Sequence, residues 1–317
     1  MRHTRFIIIA LFTLVFSGCY RVPDKIDPEV NFVVQDTYLK QLPPAFPPLS
    51  LSEKASPWGQ EYLIAQKFAE KLDLYRAITT FKRAEFLLPK DDHSRLPEIQ
   101  YQILLSYYLG KRYEEAVSEF VHSDLYGATK EFPAYHDLLI IMYESYLEIG
   151  DAQKADYILK IIGHHYPDTA KRLEISTALI DGDLKKLCMI QKEDPSKTYI
   201  SDLLETYESK KKSVKKAQTF NAILPGAGFL YVGQKQSALT SFLLNGLFIW
   251  ASVHFYMKGN YAAGAIFTSF ETGWYFGGIY GAGESAKLYN ERLYEEHAYP
   301  ILNKHGGFPV LMLRFGF

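Results

Sequence analysis

Tyr107-Tyr108-Leu109-Gly110-Lys111-Arg112-Tyr113-Glu114-Glu115-Ala116 decides the fold, because its outline occurs three times in the chain. An aromatic residue is followed nine positions later by alanine at Phe68 and Ala77, at Tyr107 and Ala116, and at Tyr146 and Ala155, and both series step by 39 residues. Two signatures moving together at one interval mark an internal repeat. An aromatic late in one helix and a small residue early in the next, held at fixed separation, is what two antiparallel helices joined by a tight turn require. The turns Leu109-Gly110-Lys111-Arg112 and Ile149-Gly150-Asp151-Ala152 carry glycine where a helix C-terminus favours a left-handed residue. Pro89 and Pro167 lie 12 residues beyond Ala77 and Ala155 and close the second helices of their units.

These positions resemble the tetratricopeptide repeat (TPR). Its pattern of small residue, aromatic, Ala, aromatic, Ala and Pro is met by Ala65, Phe68, Ala77, Phe81, Ala84 and Pro89 in the first unit. The second unit keeps Tyr107, Tyr113, Ala116 and Phe120. The third keeps Tyr146, Ala155 and Pro167, with Leu159 and Ile162 where Phe and Ala are usual. The family period is 34 residues, so a step of 39 places insertions near Asp91 to Pro97 and Tyr126 to Pro133. A degenerate fourth unit turns at Gly182-Asp183, and a helix from about Tyr199 caps the array. The resemblance implies a helical solenoid whose concave face binds extended or helical peptides.

Working outward to the N-terminus, Arg2, His3 and Arg5 precede an 11-residue apolar run, Phe6 to Phe16, that ends in Ser17-Gly18-Cys19. The run is too short for the ~20 residues of a membrane-spanning helix and reads as an export signal. Phe16-Ser17-Gly18-Cys19 resembles the bacterial lipoprotein processing box, with Phe16 where Leu is usual. The resemblance implies cleavage after residue 18 and acylation of Cys19, and Tyr20 in place of Asp favours the periplasmic face of the outer membrane. Seven prolines between Pro23 and Pro57 read as a semi-rigid tether. Cys188, within Lys186-Leu187-Cys188-Met189-Ile190, is expected to be a buried thiol in a helix interior.

Beyond the lysine cluster from Lys210 to Lys216, composition shifts. Gln236 to Met257 holds 22 residues without Asp, Glu, Lys or Arg, and Asn260 to Gly283 holds 24 with only Glu271. At ~1.5 Å per residue the first covers about one hydrocarbon core, so the two segments are expected to form a membrane helical hairpin turning at Lys258-Gly259-Asn260. Gly273, Gly277 and Gly281 clear one helix face. Folding about residue 258 puts Asn245 and Glu271 at equal depth, and a hydrogen bond between them is expected. Leu224-Pro225-Gly226-Ala227-Gly228-Phe229-Leu230-Tyr231-Val232-Gly233-Gln234 resembles the Pro-Gly-x-Gly-x-x-Tyr-x-Gly start of small bacterial membrane-hairpin domains, in which Pro225, Gly226 and Gly228 would form a tight turn into the first helix.

The fold class expected is all-α, a TPR-like helical solenoid followed by a hydrophobic helical hairpin. The parts are a signal peptide (1–18), a lipidated Cys with a Pro-rich tether (19–57), repeats (58–217), a hairpin domain (218–295) and a C-terminal tail (296–317) that ends as a short strand or docking segment. With 35 Lys+Arg against 36 Asp+Glu the net charge is -1, which gives no basis for nucleic-acid binding. His93, His122, His136, His164 and His165 have no zinc-binding helical spacing, and no nucleophile motif is present, so neither an enzyme, a metal nor a cofactor is expected. The functional expectation is a bacterial envelope lipoprotein whose repeats bind a protein partner while a lipid and a hairpin hold it at a membrane. The alternative is a structural or accessory subunit of an envelope transport or secretion assembly.

Overall fold

The computed structural model describes residues 22–30, 36–89 and 94–317. The signal peptide, Cys19, Tyr20 and His93 lie outside the described residues. Those described form helices and no extended strand; the single β-bridge joins Pro44 and Gly316. The chain divides into two compact units, each built from separate stretches: Met1–Val30 with Ile180–Tyr299, and Asn31–Leu179 with Pro300–Phe317. Composition placed boundaries at 57, 217 and 295 instead. Packing overrides them because the Pro-rich segment and the tail both fold onto the helices of residues 57–179.

In the second of these units, α1 (Asp36–Leu39) and α2 (Leu51–Ala55) precede six longer helices: α3 (Pro57–Ala69), α4 (Leu74–Leu87), α5 (Leu96–Leu109), α6 (Tyr113–His122), α7 (Tyr135–Glu148) and α8 (Ala152–His165). Each of the six packs on the next. α9 (Pro167–Ile180) follows. The turn between the paired helices is the same each time. Leu72, Lys111 and Gly150 have φ of 58, 55 and 79°. The next residue's N–H then reaches back to the carbonyl of the repeated aromatic: Asp73 to Phe68, Arg112 to Tyr107 and Asp151 to Tyr146, each at 2.9 Å. This six-to-one closure satisfies a carbonyl the helix end would leave bare. The left-handed position is therefore one residue beyond Gly110, whose own φ is -78°. The repeated alanines are buried where the next helix crosses: Ala77 and Ala116 are 0 % exposed and Ala155 1 %.

The other unit contains α10 (Leu184–Glu193), α11 (Thr198–Lys210), α12 (Val214–Ile223), α13 (Ala227–Val232), α14 (Lys235–Met257) and most of α15 (Tyr261–Lys304). Gly182, with φ 62°, precedes the Asp183 cap of α10, as Leu72 and Gly150 precede Asp73 and Asp151, without the closing hydrogen bond of those turns. Cys188 is exposed, against expectation. Leu187 takes the inward position at 0 % exposure, and the next residue, about 100° round the helix, faces away. Residues 22–30 lie along this unit as an extended strap: Val22 packs with Val214, Ala217, Val232 and Ala286. Glu291 accepts from the Asp27 backbone N–H at 2.9 Å and Glu295 from that of Glu29 at 2.8 Å.

Candidate functional site

Two surfaces are candidate sites: the side of the helical stack that bears Asp137, and the helix pair α14–α15. On the stack, α5 buries all eleven residues from Glu98 to Tyr108, and α7 buries the eight from His136 to Tyr143. A helix covered on every side must have a neighbour on each, and here two of those neighbours come from the chain's own ends. Phe46 of the Pro-rich segment sets its ring 5.8 Å from Tyr101 and 5.5 Å from Phe132. Arg95 donates to the Pro47 carbonyl at 3.0 Å and to Glu53 at 2.8 Å. That guanidinium holds the Glu53 carboxyl down at about 2. The segment from Tyr38 to Ser56 is thus folded structure and not a free tether. Proline lacks the donor a helix would use but leaves carbonyls that Arg95 and the tail can address.

The tail completes the cover. Asp137, fully buried, accepts the backbone N–H groups of Arg314 and Phe315 on one oxygen, at 2.8 and 2.9 Å. Its other oxygen lies 2.8 Å from His136 Nδ1, and His136 Nε2 lies 3.0 Å from Thr169 Oγ1. A carboxylate, imidazole and hydroxyl in series resemble a hydrolytic relay on paper, but the second carboxylate oxygen is spent on the tail and the hydroxyl is buried. The chain acts as a clamp on an extended backbone. Tyr38 donates to the carbonyls of Leu311 and Leu313, Gly316 N–H donates to Pro43 at 3.0 Å, and Phe317 packs against the cluster containing Tyr62, Ala65 and Phe81. A Cβ on Gly316 would sit 2.8 Å from the Leu39 carbonyl, so only glycine permits that approach. No spacing signal announces this clamp; Asp137 and the tail are 177 residues apart.

The repeat-packing residues Ala65, Ala77, Phe81, Tyr107, Ala116, Phe120, Tyr146 and Ala155 are all buried, and Phe68 is half-buried. A cation lies over each repeated aromatic: Arg76 over Phe68 at 5.6 Å, Arg112 over Tyr107 at 5.0 Å and Lys154 over Tyr146 at 5.3 Å. The insertion after Tyr126 supplies Phe132, which pins the Pro-rich segment.

The helix pair has the opposite character. Gly226, at φ 94°, starts α13, with its N–H held by Asn221 at 2.9 Å, and an added Cβ would lie 2.3 Å from the Ala238 carbonyl. A Cβ on Gly228 would lie 2.2 Å from the Ala217 carbonyl. The glycines that follow Pro225 therefore seat one short helix against its neighbours. One described helix, α14, is long and apolar enough to cross a membrane. It buries Ala238, Ser241, Asn245, Ala251 and Ser252 and leaves Phe242, Leu243, Leu247 and Trp250 more than half exposed. Phe255 stacks on Phe267 at 5.3 Å, Phe248 lies 6.4 Å from Phe270, and Ser241 Oγ lies 3.7 Å from the Cβ position of Gly278.

Those pairings centre the fold-back near residue 260, two residues later than the midpoint at 258 that the charge pattern predicts. Asn245 is then level with about Tyr275, about one helical turn from Glu271. The expected Asn245–Glu271 hydrogen bond is not formed. The Asn245 amide donates to the Ser241 carbonyl at 2.6 Å, while Asn245 Oδ1 and Glu271 Oε2 are both buried without a partner. Of the glycine stripe, Gly281 packs on Phe229, whereas an added Cβ on Gly273 or Gly277 would meet nothing within 4 Å. Among the described residues no cluster of three metal-ligating side chains occurs. No protein family, curated protein or solved structure matches this chain.

Proposed function

We propose that the protein is a bacterial envelope lipoprotein in which a TPR-like helical stack is held at a membrane by an acylated Cys19 and a helical hairpin formed by α14 and the first part of α15. The observation that carries this reading is the inverted burial of α14, with small and polar side chains inside and Phe242, Leu243, Leu247 and Trp250 outside. A water-soluble helix does the reverse, because each large side chain left in water forgoes roughly 1.5–3 kcal/mol. Residues 22–30 support the same reading. Val22 packs beside Val232 and Ala286, next to the hairpin, and Cys19 is only three residues away, at most about 11 Å of chain. A lipid on Cys19 and the hairpin would enter the same leaflet side by side.

The protein is no enzyme in this reading; it binds a protein partner in the envelope, and the lipid and hairpin confine that partner's encounter to one membrane surface. The partner surface is drawn from the exposed aromatics of the stack, Tyr75, Phe86, Tyr126 and Tyr157, since the side that bears Asp137 is covered by the tail. The decisive experiment is fractionation of cells expressing the full chain and its Cys19→Ala variant, with an alkaline carbonate wash and labelling with a radioactive fatty acid. Label lost in the variant while the protein stays in the washed membrane supports both anchors. Label kept in the variant removes the lipid, and release of wild type by carbonate removes the hairpin.

A second reading is favoured by the open glycines. Gly273 and Gly277 leave a smooth strip that no described residue fills, suited to a second hairpin in an oligomeric envelope transport or secretion assembly. Crosslinked multimers that vanish with Gly277→Leu would select it.

A further inference from the structure

Lysines and large apolar residues adjoin each other around α12 in a way that neither a solvated surface nor a packed core requires. Lys215 and Lys216 occupy the first turn of α12 and are exposed, while Phe220, Ile223 and Leu224 at its other end are 41, 77 and 51 % exposed. Just ahead of the helix, Lys212 is fixed. Asn290 accepts from its backbone N–H at 2.7 Å and donates to its carbonyl at 2.8 Å. Its ammonium stands 5.1 Å from the Tyr231 ring and 5.7 Å from the Tyr289 ring. The adjacent Glu208 is engaged by Lys211 at 2.7 Å, so it does not neutralise Lys212, Lys215 or Lys216. Among the described residues, then, no carboxylate pairs with these three cations, which stand at one end of α12 while Phe220, Ile223 and Leu224 lie uncovered at the other. Ammonium groups and tyrosines at one level with large apolar side chains beyond them match the layering of a lipid leaflet, where anionic phosphates lie above acyl chains. A protein partner with acidic residues would complement the lysines but would leave the apolar band on α14 uncovered; one leaflet satisfies both.

We propose that Lys212, Lys215 and Lys216 form a collar that binds the phosphates of anionic phospholipid headgroups, with Phe220, Ile223 and Leu224 set among the acyl chains beneath. The inference rests on the membrane reading above and adds to it a lipid class and a site. The test uses the full chain purified in neutral detergent and mixed with equal amounts of phosphatidylglycerol and phosphatidylcholine, with retained lipid read by native mass spectrometry. Phosphatidylglycerol adducts should exceed phosphatidylcholine adducts at least fivefold, and Lys212→Gln/Lys215→Gln/Lys216→Gln should bring the ratio near one with an unchanged melting temperature. Because Lys212 touches two rings, Lys215→Gln/Lys216→Gln serves as a second variant, with an intermediate ratio expected. A wild-type ratio near one, or an unchanged ratio in both variants, overturns the collar and leaves the membrane reading standing. A chain that stays soluble without detergent and retains neither lipid overturns both.

Discussion

α5 and α14 are both rich in apolar residues, yet one is buried over eleven consecutive positions and the other exposes most of its largest side chains. The difference lies in what the rest of the chain supplies. Around α5 it supplies a helix on each flank, Phe46 and Phe132. On α14 the described residues bury Ala238, Ser241, Asn245, Ala251 and Ser252 and half-cover Phe248 and Phe255 against α15. A helix whose cover is encoded in the same chain belongs to a core folded in water. One that buries its small residues and shows its large ones fits the membrane hairpin proposed above.

The largest effect is expected from removing the cover of the stack. Deleting residues 308–317 takes out Phe308, Val310, Met312 and Leu313, all buried, along with the partners of Asp137. At ~2–5 kcal/mol per large core side chain, helices α3 to α8 should lose cooperative unfolding by circular dichroism. Asp137→Ala, which leaves the tail in place, should cost about 3 kcal/mol through two lost charge-assisted bonds. A truncated chain melting like wild type would mean that the stack stands alone with an open groove, and the contrast with α14 would weaken.

The opposite behaviour is expected of α14. Leu247→Arg should leave the melting of the stack unchanged and reduce the carbonate-resistant fraction severalfold, since Arg in mid-membrane costs ~2.5–3.5 kcal/mol. A variant that instead unfolds the protein would place Leu247 in a water-excluded protein contact.

Inside the stack a smaller effect depends on pH. Glu144 accepts a hydrogen bond from Tyr108, and burial raises its carboxyl from 4.5 to about 7. Between those values the folded chain holds a proton that the unfolded chain has lost, so stability should fall as pH rises from about 4.5 to about 7 and level off above. Glu144→Gln should flatten that slope in denaturant titrations at several pH values; burial also raises Glu98 and Glu119, so a residual slope of the same sign should remain. A slope unchanged in the variant would assign the proton elsewhere.

The smallest effect tests the repeat itself. Lys111, exposed, holds φ 55° at the position Gly150 fills in the next unit. Lys111→Gly should raise stability by up to about 1 kcal/mol, the left-handed penalty less the extra freedom of an unfolded glycine. Destabilisation would mean the Lys111 side chain carries a contact worth more than the strain.

Much of the stack was legible because its signals are local. Phe68, Tyr107 and Tyr146 each lie nine residues before their alanines, and the hydrogen bond closing each turn spans five residues. Gly110 misled by one position, since a repeat whose left-handed residues are Leu72 and Lys111 does not advertise them by composition. The inward turn of Leu187 in place of Cys188, and the one-turn offset of Asn245 from Glu271, depend on helix phase and on where α14 meets α15. Neither can be counted off from residue 258 alone. Composition makes the Pro-rich segment a spacer, but composition describes what a backbone lacks and not what Arg95 and Tyr101 offer it.

Local sequence sets the helices, their paired order, the turns between them and the two long uncharged segments, because propensity, capping and period act over a few residues. What covers them is set by contacts between distant parts of the chain. The tail reaches Asp137 across 177 residues, the strap reaches Glu291 across 264, and α14 keeps its large apolar face outside. Such contacts join groups with no common spacing, and their free energy depends on surfaces that exist only after the helices have packed.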